Sequence, residues 1–192
     1  MKISVGVSAR HIHLSDKDFE YLFGKNVKLE IYKELKQTGE FASIYKVKLK
    51  TAKNSIDNVR ILGPIRKNTQ VEISKTDAIK LGLNPPVRMS GDLKDSESIT
   101  ICYKDKELFI KNCCIIANRH IHMSVKDSFK LGIYNNSVVK LKASGIKGGI
   151  LNNVIVKTNK DFVLEAHIDT DDANAHLINN NDICEVIFDE WI

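Results

Sequence analysis

The sequence lacks the features that mark membrane and secreted proteins. No apolar run approaches the roughly 20 residues that a membrane helix requires. The amino terminus has neither the apolar region nor the cleavage site of a signal peptide. We therefore expect a protein that makes no membrane contact and works in the cytoplasm.

Cysteine is also scarce, with four residues in a chain of 192. Cys102, Cys113, Cys114 and Cys184 follow no spacing of a disulfide framework or of a zinc–thiolate site. The adjacent Cys113 and Cys114 are poorly placed to bond to each other. This pattern excludes a disulfide-stabilised scaffold and predicts reduced, mostly buried thiols.

Aromatic residues make up only 7% of the chain, although its formal net charge is +5. A modest positive charge is consistent with an anionic ligand. The lysines are dispersed, however, and no recognised nucleic-acid module is present. We therefore expect no nucleic-acid partner.

One six-residue motif occurs twice and holds four of the six histidines. Residues 10–15 (RHIHLS) return as residues 119–124 (RHIHMS). Because an extended strand sends residues i and i+2 to the same face, the two imidazoles of each copy should converge. Each copy ends in a serine that is followed three residues later by an aspartate, which is the spacing of a helix N-cap. Each histidine pair is therefore predicted at a corner between a strand and a helix.

Two imidazoles do not complete a catalytic metal site, which usually takes three protein ligands and leaves one position open. A weaker repeat at an offset of 95 residues aligns Asp77 with Asp172 and places Glu72 opposite His167. We therefore predict one metal site in each half of the chain, with the ligands His11, His13 and Glu72 in one half and His120, His122 and His167 in the other. This ligand chemistry favours zinc, although cobalt, iron and nickel accept the same groups. Because Glu72 is anionic and His167 is not, the two sites should differ in formal charge.

Short alternating apolar stretches predict many short strands and a few short helices, a pattern typical of small barrels or sandwiches. Strands are predicted at 3–7, 44–50, 59–62, 98–102, 107–116, 138–142, 150–156, 162–166 and 183–188, and helices at 15–23, 74–81, 124–131 and 170–177. The apolar runs before residues 10 and 119 also predict a strand that runs into each histidine motif. The duplication favours two related halves.

Residues 63–70 (GPIRKNTQ) form a predicted loop directly before Glu72. The guanidinium of Arg66 matches the geometry of phosphate or carboxylate, so an arginine close to a metal ligand would bind an oxyanion there. The alternative interpretation is a solvated surface loop with ordinary charges.

Several long stretches of the chain resemble the PduL-type phosphotransacylase family, the phosphate acyltransferases associated with propanediol degradation and related fermentations. The stretches that carry the resemblance are residues 5–15, 58–64, 69–74, 84–88, 90–93, 119–124 and 167–171.

This resemblance implies a mainly β fold of two small β-barrels with short α-helical caps, formed by residues 10–117 and by residues 1–9 plus 118–192. It also implies a homodimer and a two-zinc site at the junction of the barrels, with the six ligands named above. In the family, phosphate is bound by the residue that matches Arg66. The coenzyme A contacts of the family fall on Ser8, Lys33, Arg60, Leu62 and Asn174.

The implied reaction converts a short-chain acyl-CoA, such as propanoyl-CoA or acetyl-CoA, and inorganic phosphate reversibly to acyl phosphate and coenzyme A. Direct transfer is favoured over an acyl-cysteine intermediate, because Cys113 and Cys114 lie in an apolar run. Two alternatives use the same metal ligands: a binuclear zinc hydrolase of thioesters or phosphoesters, and a non-catalytic metal-dependent binding module. Members sent to bacterial microcompartments carry an amino-terminal extension, and none precedes the first predicted strand here, which favours the cytoplasm.

Overall fold

The computed structural model describes residues 1–188, in which β-strands predominate over short helices. The chain divides into two compact units. The first unit is Ala9–Ala117, and the second combines Met1–Ser8 with Asn118–Ile192. No helix within residues 1–188 is long and apolar enough to cross a membrane.

The elements are numbered in chain order. The strands are β1 (Lys2–Ser8), β2 (His11–His13), β3 (Ile31–Glu34), β4 (Phe41–Lys50), β5 (Ser55–Gly63), β6 (Gln70–Glu72), β7 (Val87–Arg88), β8 (Glu97–Tyr103), β9 (Lys106–Ala117), β10 (His120–Ser124), β11 (Val138–Ala143), β12 (Gly149–Asn159), β13 (Glu165–Asp169) and β14 (Ile183–Ile187). The helices are α1 (Asp16–Phe23), α2 (Lys75–Leu81), α3 (Val125–Leu131) and α4 (Thr170–His176).

In the first unit, six strands pair in the closed order β4-β5-β2-β6-β9-β8, because β8 pairs with both β9 and β4. Strand β3 extends this sheet beside β4, and β7 pairs with β9. The interior is apolar and includes Ile12, Leu49, Ile61 and Ile101. Burial of such side chains is the main force that stabilises a small barrel.

In the second unit, six strands close in the order β1-β13-β10-β12-β11-β14. Their inward side chains form a separate apolar core that includes Val5, Ile121, Leu141 and Val156. The prediction of a mainly β fold of two small barrels with short helices is therefore confirmed.

The predicted corners after the histidine pairs are present in both units. Ser15 and Ser124 cap α1 and α3, and the side chain of each serine accepts a hydrogen bond from the backbone N–H three residues later. Gly132 ends α3 in the left-handed conformation, which glycine adopts without steric cost.

Strands precede both motifs as predicted, but two residues separate each strand from its histidine pair. Strand β1 ends at Ser8 and pairs in the second barrel, whereas β2 begins at His11 and pairs in the first. The same break separates β9 from β10. At each break lies an arginine whose side chain bonds to an aspartate of a helix.

One predicted strand is shifted along the chain. The expected strand at 162–166 is Glu165–Asp169 instead, because Phe162 closes a turn with Asn159 and its ring stacks on His122 at a centroid distance of 4.2 Å. Strands β3, β6 and β7 were not among the predicted strands.

Candidate active site

The first cluster of predicted metal ligands lies on the paired strands β2 and β6. His11 is opposite Glu72 in the register, and His13 is opposite Gln70. Between them, Ile12 and Val71 are fully buried in the barrel core. Because side chains alternate along a strand, the two histidines and Glu72 share the face that points away from this core.

The three candidate ligand groups of this cluster lie close together. Their ligand atoms all lie within 4.8 Å of one another, and Nε2 of His11 is 3.5 Å from Oε2 of Glu72. Nδ1 of His11 lies 2.9 Å from the carbonyl oxygen of Ala9. Since a carbonyl only accepts, Nδ1 carries the proton and Nε2 is free to bind a metal. His11, His13 and Glu72 could therefore hold a metal ion.

His13 supports the same interpretation. Its Nδ1 atom is buried and has no hydrogen-bond partner, which is costly for a polar atom unless a further group binds it. The pKa of His13 is lowered to about 2, chiefly by burial and also by the positive charges of His11 and Arg66. The imidazole is thus neutral at pH 7 and presents a lone pair, as a metal ligand must.

The second cluster repeats this arrangement on β10 and β13. His120 is opposite His167, and Ile121 and Ala166 between the polar pairs are fully buried. The ring centroids are 4.8 Å apart for His120 and His122, 5.0 Å for His120 and His167, and 4.6 Å for His122 and His167. Nδ1 of His120 lies 2.8 Å from the carbonyl of Asn118, as His11 does from Ala9.

Burial lowers the pKa of His120 well below its ordinary value, and the nearby charges of Lys157, His167 and His122 add to this effect. A buried imidazole that resists protonation suits a metal ligand. Within residues 1–188, only the first cluster brings its three ligand atoms within 4.8 Å of one another.

Arg66 lies in the loop between β5 and β6, on the same barrel as the first cluster. Its backbone N–H bonds to the carbonyl of Leu14 at 2.9 Å, which ties this loop to the residue after His13. Burial lowers the pKa of Arg66, while the carboxylates of Glu72 and Glu40 raise it. A guanidinium stays charged in proteins, so this position favours an anion.

A polar network links Arg66 to the candidate ligand Glu72. Arg66 donates from one terminal nitrogen to Oγ of Ser90 at 3.0 Å, and Nε2 of Gln70 lies 2.8 Å from the same oxygen. Gln70 also donates to Oε1 of Glu72 at 2.6 Å. The network holds the ligand and the arginine in a fixed relation.

The sequence prediction assigned no role to Gln70 or Ser90. Gln70 is two residues before Glu72 on β6, so the period-two rule of a strand already placed both side chains on one face. Ser90 lies 20 residues further along the chain, and no local pattern indicated its contact with Gln70.

Three of the predicted coenzyme A contacts lie on neighbouring strands of the first unit. Lys33 on β3 and Leu62 on β5 both pair with Ala42 of β4. The guanidinium of Arg60 lies 4.6 Å from the ring centroid of Tyr32 and donates to the carbonyl of Ser43 at 2.7 Å. This edge combines two cations and an exposed aromatic ring.

The other two predicted contacts belong to the second unit. Ser8 ends β1 opposite Asp169, the residue that caps α4. Asn174 is exposed on that helix. Ser8 therefore lies at the end of the paired strands β1 and β13, and Asn174 lies on the helix that follows β13.

Comparison with known proteins identifies the family of this chain. A family model described as phosphate propanoyltransferase matches residues 4–179, a span that includes both histidine clusters and Arg66. The phosphate propanoyltransferase of Thermotoga maritima is 46% identical over 186 residues, which cover 96% of this chain and 89% of that protein. The proteins of the same name from Lachnoclostridium phytofermentans and Rhodopseudomonas palustris are 42% and 40% identical, again over 96% of this chain and over 87% and 82% of their own lengths. The resemblance predicted from the motifs is thus confirmed, and the chain belongs to the phosphate propanoyltransferase family.

Proposed function

We propose that this protein is a zinc-dependent phosphate acyltransferase that moves a short acyl group, propanoyl or acetyl, reversibly between coenzyme A and inorganic phosphate. One observation carries the proposal. A metal-ligand cluster is joined through Gln70 and Ser90 to a half-buried arginine, in a chain whose relatives are named phosphate propanoyltransferase.

Each unit would hold one zinc ion, through His11, His13 and Glu72 in the first and through His120, His122 and His167 in the second. Two or three imidazoles with at most one carboxylate are typical of catalytic zinc, which keeps a position for substrate. When bound, zinc would polarise the thioester carbonyl or favour the departing thiolate over the thiol.

Arg66 would bind inorganic phosphate. Its guanidinium is held from one side by Ser90 and lies 3.7 Å from a carboxylate oxygen of Glu40. These contacts fix the direction in which its remaining N–H groups point, so they can orient a phosphate oxygen toward the acyl carbon. That oxygen forms the new bond to the acyl carbon, the carbon–sulfur bond breaks, and coenzyme A leaves as its thiolate. Orientation of two substrates can contribute about 7–11 kcal/mol at best.

The edge formed by Lys33, Arg60 and Leu62 would bind coenzyme A, whose phosphates match the two cations. Arg60 is already held by Ser43 and by the ring of Tyr32, so little side-chain freedom is lost when it binds an anion. Ser8 and Asn174 of the second unit are proposed as coenzyme A contacts on the family resemblance alone.

Direct transfer fits the environment of the cysteines. Cys113 and Cys114 are both fully buried, and burial raises the pKa of Cys113 to about 12 and also raises that of Cys114. A thiol in such surroundings supplies almost no thiolate at neutral pH. Neither side chain is therefore proposed as a nucleophile.

The test is a phosphate-dependent release of thiol. The purified, zinc-loaded protein is mixed with propanoyl-CoA or acetyl-CoA, with and without phosphate, and both free thiol and acyl phosphate are measured. Equal amounts of both products, formed only with phosphate, support the acyltransferase. Thiol release without phosphate would indicate a thioesterase instead, and no release from either substrate would indicate a binding module.

We further propose a cytoplasmic homodimer, as the family resemblance implies. Sedimentation of the zinc-loaded protein at micromolar concentration should give twice the mass of the chain. A monomeric mass that is independent of concentration would contradict this assembly.

A further inference from the structure

Glu165 is a buried carboxylate to which the proposed function gives no role. It is 5% exposed and lies on β13, two residues before His167 and opposite His122 in the register. It therefore shares the face of the second histidine cluster. Buried carboxylates are rare unless a partner compensates for their desolvation, so this position needs an explanation.

The equivalent residue of the first unit is Gln70. Gln70 precedes Glu72 by two residues and is opposite His13, as Glu165 precedes His167 and is opposite His122. The repeat offset of 95 residues aligns both pairs. The duplicated barrels thus place one polar residue beside the third ligand in each unit.

Both residues contact the third ligand of their unit, but the carboxylate belongs to the ligand in the first unit and to its neighbour in the second. Nε2 of Gln70 donates to Oε1 of Glu72 at 2.6 Å, and Oε2 of Glu165 lies 3.1 Å from Nε2 of His167. An amide donor therefore faces a carboxylate ligand in one unit, and a carboxylate acceptor faces an imidazole ligand in the other. Nε2 of His167 is buried at ion-pair distance from Glu165, although the geometry is not that of a hydrogen bond.

The neighbouring strand leaves room for this pair. Gly6 on β1 is opposite His167. A Cβ atom at this position would lie 3.2 Å from Cδ of Glu165, which is closer than side chains normally approach, and 3.4 Å from Nδ1 of His167, which is ordinary contact. The absence of a side chain at Gly6 therefore leaves room for the carboxylate of Glu165.

We propose that Glu165 is a positioning residue of the second metal site. It lies beside the imidazole of His167 and fixes the orientation in which this ring binds the metal, as carboxylates do beside zinc-bound histidines. It also supplies the negative charge that Glu72 supplies in the first site. Each site then carries one carboxylate, so the two sites have equal formal charge, whereas the six ligands alone would make their charges unequal. The inference rests on the proposed function, because it assumes a metal ion in the second unit.

The first test measures zinc affinity in the full chain with Glu165→Gln. Titration against a chromophoric zinc chelator resolves the two ions of the wild-type protein. In the variant, one ion should keep its affinity and the other should bind 10- to 100-fold more weakly, the usual effect of losing such a partner. Glu185→Gln is the matched control, because Glu185 is an exposed carboxylate on β14 of the same unit. It should bind both ions as the wild-type protein does.

The second test exchanges the pair. H167E alone puts two carboxylates side by side, whereas E165Q/H167E rebuilds in the second unit the amide–carboxylate pair of Gln70 and Glu72. The double variant should bind its second zinc more tightly than H167E alone, a coupling that a merely structural role of Glu165 would not produce. Where far-UV circular dichroism shows that E165Q does not fold, the double variant is compared with H167E instead.

Unchanged affinity for both ions in E165Q, or no gain in E165Q/H167E over H167E, would overturn the inference. These outcomes leave the proposed function standing if the wild-type protein binds two zinc ions and releases thiol with phosphate. A wild-type chain that binds fewer than two zinc ions would instead count against the proposed function itself.

Discussion

Oδ2 of Asp77 accepts a hydrogen bond of 2.8 Å from Nε of Arg10, the residue directly before the ligand His11. The second unit repeats this contact, because Nε of Arg119 donates to Oδ2 of Asp172 at 2.9 Å. Each aspartate lies on the helix that follows the third ligand of its cluster. The duplicated arginine therefore ties the segment with two histidine ligands to the segment with the third.

Removal of the negative charge at position 77 should loosen the first cluster. In Asp77→Asn, a mostly buried carboxylate that bonds to a half-exposed Arg10 is replaced by a neutral amide. We expect the metal-free protein to lose about 1.5–3 kcal/mol of unfolding free energy, the range for hydrogen bonds to charged groups, and one zinc ion to bind more weakly. Urea unfolding and chelator competition measure the two effects.

Asp57→Asn provides the control for this prediction. Asp57 is exposed and pairs with Lys48 at 3.1 Å on the surface of the same unit. Its replacement should change the unfolding free energy by less than about 1 kcal/mol, because exposed ion pairs contribute little. Equal losses in both variants would mean that Asp77 does not have the anchoring role given to it here.

Arg66→Ala should abolish most turnover without loss of metal. The guanidinium would orient and neutralise phosphate during transfer, and removal of one such group typically lowers kcat about 10²- to 10³-fold. Steady-state assays of acyl phosphate formation and metal analysis of the same preparation check both parts. Lys67→Ala is the control, since Lys67 is an exposed cation in the same loop. Loss of zinc in Arg66→Ala would contradict the role proposed for this arginine.

The predictions from sequence succeeded where a local rule governs the structure. The alternation of a strand puts His11 and His13 on one face, and the serine caps fix the helices that follow. Strand β3 was not predicted because all four of its side chains are exposed, so it carries no apolar alternation.

Long-range contacts explain the other differences. The contact of Ser90 with Gln70 joins residues 20 positions apart, and no periodicity encodes it. The apolar run at 162–166 resembled a strand, but Phe162 packs on His122 and the strand begins at Glu165. Because of this shift, no local pattern predicted that Glu165 is opposite His122.

Cys113→Ala and Cys114→Ala should both keep turnover. Burial raises the pKa of both thiols, so neither supplies a thiolate for an acyl-enzyme intermediate. Each variant should lose about 1 kcal/mol of unfolding free energy, because the missing sulfur leaves a small cavity. Acyl phosphate formation and mass spectrometry of the quenched enzyme test this. A labelled acyl group on either cysteine, together with loss of turnover in its alanine variant, would overturn direct transfer.

The stability of the metal-free protein should fall as the pH drops below about 6.5. The pKa of His13 is about 2 in the folded chain, against an ordinary value of 6.5, and that of His120 is lowered in the same direction. Above pH 6.5 these histidines are neutral in both the folded and the unfolded chain. Below pH 6.5 they bind protons in the unfolded chain but stay neutral in the folded chain. Each such histidine then costs about 1.4 kcal/mol per pH unit.

Urea unfolding of the metal-free protein between pH 7.5 and 5.5 measures this slope directly. His13→Gln should flatten it by about one proton per molecule, because the variant has lost one histidine that protonates only on unfolding. His176→Gln should leave the slope as in the wild-type protein, since His176 is a partly exposed residue on α4 that contacts the carbonyl of Lys147. Stability that rises as the pH falls, or an unchanged slope in His13→Gln, would show that His13 is not held neutral in the folded chain.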